Sequence, residues 1–190
     1  MIESYFDSKE FIKVDFTSTK IEKGEYDNCT FINCNFESIH ASNIEFLECE
    51  FIDCNFSNTI VKNTSFKNVE FKNCKMVGIK FNECNQFLLQ FSFINCQLNF
   101  SSFFKLKIPK TNFSNCNLEQ VDFTETDLHN AIFDQCDLKN AIFDNTNLKK
   151  VDFTTSYGFN IDLDKNNLQE AKFTKENVSG LLSKYKIILD

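Results

Sequence analysis

Nine cysteines are the residues of this 190-residue chain best equipped for chemistry, as nucleophiles, soft-metal ligands or disulfide partners. They are Cys29, Cys34, Cys49, Cys54, Cys74, Cys84, Cys96, Cys116 and Cys136. All keep the same place in a five-residue period, which a metal site or a catalytic thiol has no reason to obey. That regularity suits small hydrophobes on an inner ladder. Stacked sulfurs would be close enough for a disulfide, but parallel Cα–Cβ vectors disfavour the bond. The two histidines, His40 and His129, fall at outward positions far apart. Asp127 neighbours His129, yet no Ser or Cys completes a nucleophilic set. The acids are dispersed, and four Gly leave no phosphate-cradling loop. Twenty Lys without a single Arg remove bidentate anion clamps. These residues point away from an enzyme and call for no cofactor and no metal.

The totals narrow the partners. A net charge of −7 argues against direct nucleic-acid binding and suits a basic partner. No apolar run reaches the length of a membrane span. The start, MIESYFDSKEF, lacks a basic region followed by an apolar one, so no signal peptide is expected. Nine Cys without a leader suit a reducing, cytoplasmic setting.

The elements that hold these residues follow from the period. Phe or Leu returns every fifth residue at Phe113, Leu118, Phe123, Leu128, Phe133, Leu138, Phe143, Leu148 and Phe153. Five is neither the 3.6 of a helix nor the 2.0 of a strand, and a short fixed period marks a repeat architecture. From Phe11 to Phe81 the same position ends in 1 or 6. The residue two before it is small or β-branched, and the other three are mostly polar. Two residues of every five therefore look inward. Four such sides make a square coil of twenty residues, and Phe93, Phe113, Phe133, Phe153 and Phe173 form a column at that spacing. The expected fold is an all-β, four-sided β-helix whose coils rise ~4.8 Å each, roughly 40 Å in all.

Two residues too many separate Phe81 from Phe93, so a bulge or corner loop is expected within 82–92, where Phe87, Leu88, Leu89 and Phe91 crowd together. Phe100, Phe104 and Pro109 fall at outward positions, either covering the bulge or forming an apolar contact patch. Ile2, Tyr5 and Phe6 precede the clear repeat and are candidates to cover the first coil. The solenoid is expected over 1–173. Beyond it, Val178, Leu181, Leu182 and Tyr185 stand at helical spacing, with Thr174 as N-cap, predicting a short amphipathic α-helix and tail over 174–190. Ile187, Ile188 and Leu189 also need cover near the terminus. The helix and tail either cap the last coil, make a homodimer contact, or do both.

The repeats "NAIFDQCDLK" and "DFTETDLHNA" resemble those of the pentapeptide-repeat family, from about residue 11 to 173. The resemblance implies a right-handed quadrilateral β-helix. The end "AKFTKENVSGLLSKYKIILD" is similar to that of the bacterial Qnr and mycobacterial fluoroquinolone-resistance members, although their long projecting loops have no counterpart here. In those members the C-terminal segment forms a head-to-head homodimer, which implies Val178, Leu181, Leu182, Tyr185, Ile187 and Leu189 as dimer residues here. The dimeric rod mimics duplex DNA and binds DNA gyrase or topoisomerase IV, with a consequence for quinolone resistance. On that reading Asp122, Glu125, Asp127, Asp134, Asp137, Asp144 and Asp152 are the partner-binding acids, each standing in for a phosphate. A pentapeptide-repeat scaffold with another partner is the alternative.

Overall fold

The computed structural model describes residues 4–187. Eleven short strands are regular among them: β1 (Ser4–Asp7), β2 (Glu10–Ile12), β3 (Gly24–Asp27), β4 (Thr30–Ile32), β5 (Glu45–Leu47), β6 (Glu50–Ile52), β7 (Ser65–Lys67), β8 (Val69–Lys72), β9 (Phe91–Ile94), β10 (Asn112–Ser114) and β11 (Ile132–Asp134). They pair only in parallel, in two sheets ordered β1-β3-β5-β7 and β11-β10-β9-β8-β6-β4-β2. Tyr26 sits beside Phe46 and Phe31 beside Phe51, twenty residues on in each case. We call these sides faces A and B. Faces C and D are held by single bridges such as Asn35 to Asn55 and Ser102 to Asp122. The square coil inferred from the period is therefore present.

Packing follows from the two inward residues of each five. The central residues of face B are Phe11, Phe31, Phe51, Phe71, Phe93, Phe113, Phe133, Phe153 and Phe173. Their neighbouring rings stack with centroids between 4.7 and 5.4 Å apart. Rings on adjacent faces meet edge-on, as Phe113 does with Phe103 at 88° and Phe123 at 81°. Offset stacks along the axis and T-contacts across it are both favoured by the ring quadrupole. Phe6 stacks on Tyr26 at 4.5 Å. It is the first rung of face A rather than a cover over it, so the repeat starts earlier than its sequence pattern. Tyr5 is exposed and donates its hydroxyl to Asp27 at 3.1 Å. Ile2 lies outside the described residues.

The second inward residue is small because it sits beside a turn, and polar because it repairs one. Thr59, Thr126, Thr146 and Ser156 donate their hydroxyls to carbonyls of the preceding coil, those of Phe36, Phe103, Phe123 and Phe133, at 2.6 to 2.8 Å. The hydroxyl adds a donor to a buried carbonyl that, at Phe36, Phe103 and Phe123, already accepts the turn N–H three residues on. The corners lie two residues after each central one, where the chain turns through left-handed backbone. Asn28, Asn33, Asn58, Asn63 and Asn73 have φ between 51° and 57°. Asn tolerates that region better than other non-Gly residues. Its side chain also ladders along the corner, as Asn95 to Asn73 and Asn73 to Asp53, both at 3.0 Å.

The register break is resolved at the corner between faces A and B. Ser65 still bridges Asn85, but Phe71 pairs with Phe93, twenty-two residues on. The extra length forms a loop over 86–90. It leaves face A without an apolar centre in that coil, because Gln86 is exposed. Phe91, in the column that holds Val69 one coil before, turns its ring into the vacancy and meets Phe81 at 5.4 Å and Phe93 at 5.0 Å. One large residue at a small-residue position keeps the core filled.

The predicted C-terminal α-helix is not formed. Val178–Leu181 and Ser183–Tyr185 are 3-10 turns instead. The reason is contact with the last coil. A Cβ on Gly180 would lie 2.5 Å from the Phe159 carbonyl oxygen, so the segment lies too close to the coil for a continuous helix to seat there. Asn177 donates its amide to the carbonyls of Phe153, at 2.8 Å, and Ser156, at 3.1 Å, which ties the segment across the open end. Thr174 accepts from the Asn177 N–H as a turn anchor rather than as the cap of a helix.

Candidate interaction surface

The thiols are structural. Cys34, Cys54, Cys74, Cys96, Cys116 and Cys136 form one buried column on face C, Cys29 and Cys49 lie on face B, and Cys84 is on face A. Most of them do what Thr does at the same position. Cys49 donates to the Tyr26 carbonyl at 3.2 Å and Cys74 to that of Phe51 at 3.3 Å. Burial pushes the Cys49 and Cys84 thiols up to about 12, the wrong direction for a nucleophile. No group of three or more metal-ligating side chains assembles among the described residues.

The seven acids singled out from the sequence do not share one side. Asp122 and Asp144 are on face D, Glu125 at the D–A corner, Asp127 on face A, Asp134 and Asp152 on face B, and Asp137 on face C. Four have a basic neighbour: Glu125 with Lys105 at 3.4 Å, Asp127 with His129 at 3.0 Å, Asp144 with Lys165 at 3.0 Å and Asp152 with Lys172 at 3.3 Å. Asp134 accepts from Thr155 and Asp137 from the Lys139 N–H. For Asp127 and Asp152, burial works against the charged form. Hydrogen bonds from His129 and Asn147, and from Thr154 and Lys172, more than offset it, so both carboxyls titrate below their ordinary value. A depressed native pKa stabilises the fold above the unfolded value and is lost as pH falls through the native one. Thermal stability should hold down to about pH 4 and decline below it. The Asp127→Asn/Asp152→Asn double variant should show a shallower decline in a melting series from pH 7 to pH 2.

Of the six C-terminal residues, Leu181 is buried against its own chain and closes the last coil. Val178, Tyr185 and Ile187 remain exposed beside a depression lined by Tyr157, Phe159, Asn177, Leu182 and Ile187. Leu182 is half-buried, and Leu189 lies outside the described residues. Lys184 clamps the segment by bridging Asp162, at 2.5 Å, and Asp164. These two carboxylates raise the Lys184 pKa.

The A–B corner carries features that the sequence pattern hides. Phe87 and Leu88 project from the loop, 67% and 66% exposed. Leu88 takes a left-handed φ of 55°, a conformation that costs a branched apolar residue stability. A groove beneath the loop is lined by Glu48, Glu50, Glu70, Leu89, Phe91 and Pro109. Before the loop, this corner and its flanks carry Asp7, Glu10, Asp27, Glu48, Glu50 and Glu70 with one base, Lys67. After it they carry Lys110, His129, Lys149, Lys150 and Lys172 with two acids, Asp152 and Glu170, which pair with Lys172 and Lys150. The acids and lysines of the sequence are mixed along the chain, and the fold makes this corner predominantly acidic before the loop and predominantly basic after it. Phe100 is also exposed, at 56%, but on the opposite corner, between faces C and D. It therefore does not cover the loop.

A filled, four-sided parallel solenoid with eight of its nine thiols engaged as hydrogen-bond donors to the preceding coil defines a class of repeat proteins. Two models of that class match the sequence, a pentapeptide repeat region over 25–103 and eight-copy pentapeptide repeats over 122–156. The chain belongs to the pentapeptide-repeat family. No curated protein matches it by sequence. Among solved structures, a trypsin-treated variant of QnrB1, a plasmid-mediated fluoroquinolone resistance protein, is 20% identical with a TM-score of 0.56 over 98% of this chain and 92% of that one. A second trypsin-treated QnrB1 variant is 21% identical with a TM-score of 0.50, over 98% and 100%. The likeness is one of fold. No described helix is long and apolar enough to cross a membrane.

Proposed function

We propose that this chain is a non-enzymatic DNA mimic that binds a type II topoisomerase, DNA gyrase or topoisomerase IV, in the cytoplasm and shields it from quinolones. The observation that carries the reading is the placement of acids on every side of a rigid rod. Duplex DNA likewise presents phosphate all round, and a basic DNA channel has no single preferred side to grip. Glu25 beside Glu45, Asp7 beside Asp27 and Glu50 beside Glu70 repeat at the spacing of the coils. A second copy seated on Val178, Leu182, Tyr185 and Ile187 would double the length of the rod, with Leu181 supporting them from within.

One observation favours the second reading, a scaffold for another partner. Three of the seven acids toward the C-terminus already have a lysine partner, which lowers their field. Gyrase supercoiling with the purified chain, with and without ciprofloxacin, at two salt concentrations, separates the two. The DNA mimic inhibits supercoiling or rescues the enzyme from the drug at low micromolar protein, less so at high salt. The Asp122→Asn/Asp134→Asn/Asp137→Asn variant is weaker. No effect in either assay removes the topoisomerase reading and leaves the scaffold.

A further inference from the structure

We infer that the A–B corner is a self-complementary docking edge at which two copies of this chain lie side by side and antiparallel, with the 86–90 loops meeting on the two-fold axis. The corner column is Ser8, Asn28, Glu48, Asn68, Leu88, Lys110, Asn130, Lys150 and Glu170, each with φ above 50°. Leu88 is the fifth of nine, so the loop sits at mid-rod. A two-fold axis through it, perpendicular to both rods, places every level before the loop against the same level after it in the second copy.

The charges fit that operation. Asp27, three levels before the loop, meets Lys149, three levels after it. Glu10 meets Lys172, four levels out on either side. Glu48 lies one level from Lys110 and one from Lys150 of the other copy. Taken position for position, at the corner and the outward residue on each side of it, no two like charges stand directly opposite; pairs such as Lys67 and Lys110, or Glu10 and Glu170, share opposed levels but not opposed positions. Lys107, Lys110 and Lys149 form no ion pair within the chain among the described residues. On the axis Phe87 and Leu88, two-thirds exposed in the single chain, face their own copies with Pro109 beside them. An apolar centre within a charged rim is the anatomy of a protein interface. An edge roughly 40 Å long and roughly 15 Å wide buries roughly 1,200 Å² in total, the lower end for a specific contact. A parallel arrangement would set acid against acid. The contact uses no residue of the C-terminal end, and end-to-end association leaves the two Leu88 residues roughly 40 Å apart.

The native thiols are all buried, so one introduced cysteine reports alone. Leu88→Cys, treated with a short bismaleimide at roughly 50 mM salt, gives a covalent dimer whose yield drops severalfold at roughly 500 mM. Phe100→Cys on the opposite corner gives none. Adding Lys149→Glu to Leu88→Cys cuts the yield about tenfold, and adding Asp27→Lys to that pair restores it. Phe87→Cys serves if Leu88→Cys is poorly folded by circular dichroism. Equal yields from Phe100→Cys, absence of dimer from both loop variants, insensitivity to salt, or failure of the charge swap to rescue would each overturn the edge contact.

Discussion

Replacing Phe113 with alanine removes about 3–5 kcal/mol of folding stability, the usual loss for a fully buried Phe. Phe113 has no exposed surface. Its ring stacks on Phe93 at 5.2 Å and Phe133 at 4.9 Å, and meets Phe103 and Phe123 edge-on at 5.9 and 6.0 Å. The cavity cannot collapse, because the backbones above and below are fixed at strand spacing. The loss also has a place. In a one-dimensional array each coil contacts only its neighbours, so the weakened rung divides the rod into two units. Denaturant unfolding should lose cooperativity, and hydrogen exchange should rise first in coils next to Phe113. One sharp transition, merely shifted, would show that the coils couple beyond nearest neighbours.

Gly24→Ala peels the first coil from the rod. A Cβ at Gly24 would lie 1.9 Å from the Ser4 carbonyl oxygen, which is backbone and cannot rotate aside. The strands β1 and β3, paired from Ser4–Gly24 to Asp7–Asp27, must then separate. Separation uncovers Tyr26 and Cys29 and loses the Phe6–Tyr26 stack. The expected cost is about 2–4 kcal/mol, confined to one end. Cys29 should become reactive to a thiol reagent, followed by Cys34, the other thiol bonded to a first-coil carbonyl, while the remaining seven cysteines stay protected. Unchanged protection of Cys29 would mean that the ends shift without parting.

The fold was readable from Phe at every fifth place because the inward positions have a single job, which is to fill a column of constant width. The break within 82–92 was readable as a count, since Phe81 and Phe93 are twelve apart. Where the two residues went was not, because Phe91 occupies a position that in the neighbouring coils holds Cys, Val, Thr or Ala. The C-terminal turn misled for a definite reason. Val178, Leu181, Leu182 and Tyr185 are spaced as in a helix, but Gly180 and Asn177 are placed for contact with the coil, and only the coil shows that. The surface was least legible. Asp122 to Asp152 are close in sequence and on four different faces in space, whereas Glu48 and Lys110 lie sixty-two residues apart and on one corner. A five-residue period scatters neighbours around the rod and gathers distant residues into lines.

The loop at 86–90 has a further meaning for the architecture. The coil that carries it resumes its pairing within a few residues, at Val69 with Phe91. The coils beyond keep their twenty-residue repeat, as in Phe113 with Phe133. Length added at a corner is thus absorbed where it enters and is not transmitted along the axis. Each corner is a socket for guest sequence: a recognition peptide could be grafted at Leu88 without re-engineering the rod, while the same insertion on a flat side would interrupt the ladder of every coil it touches.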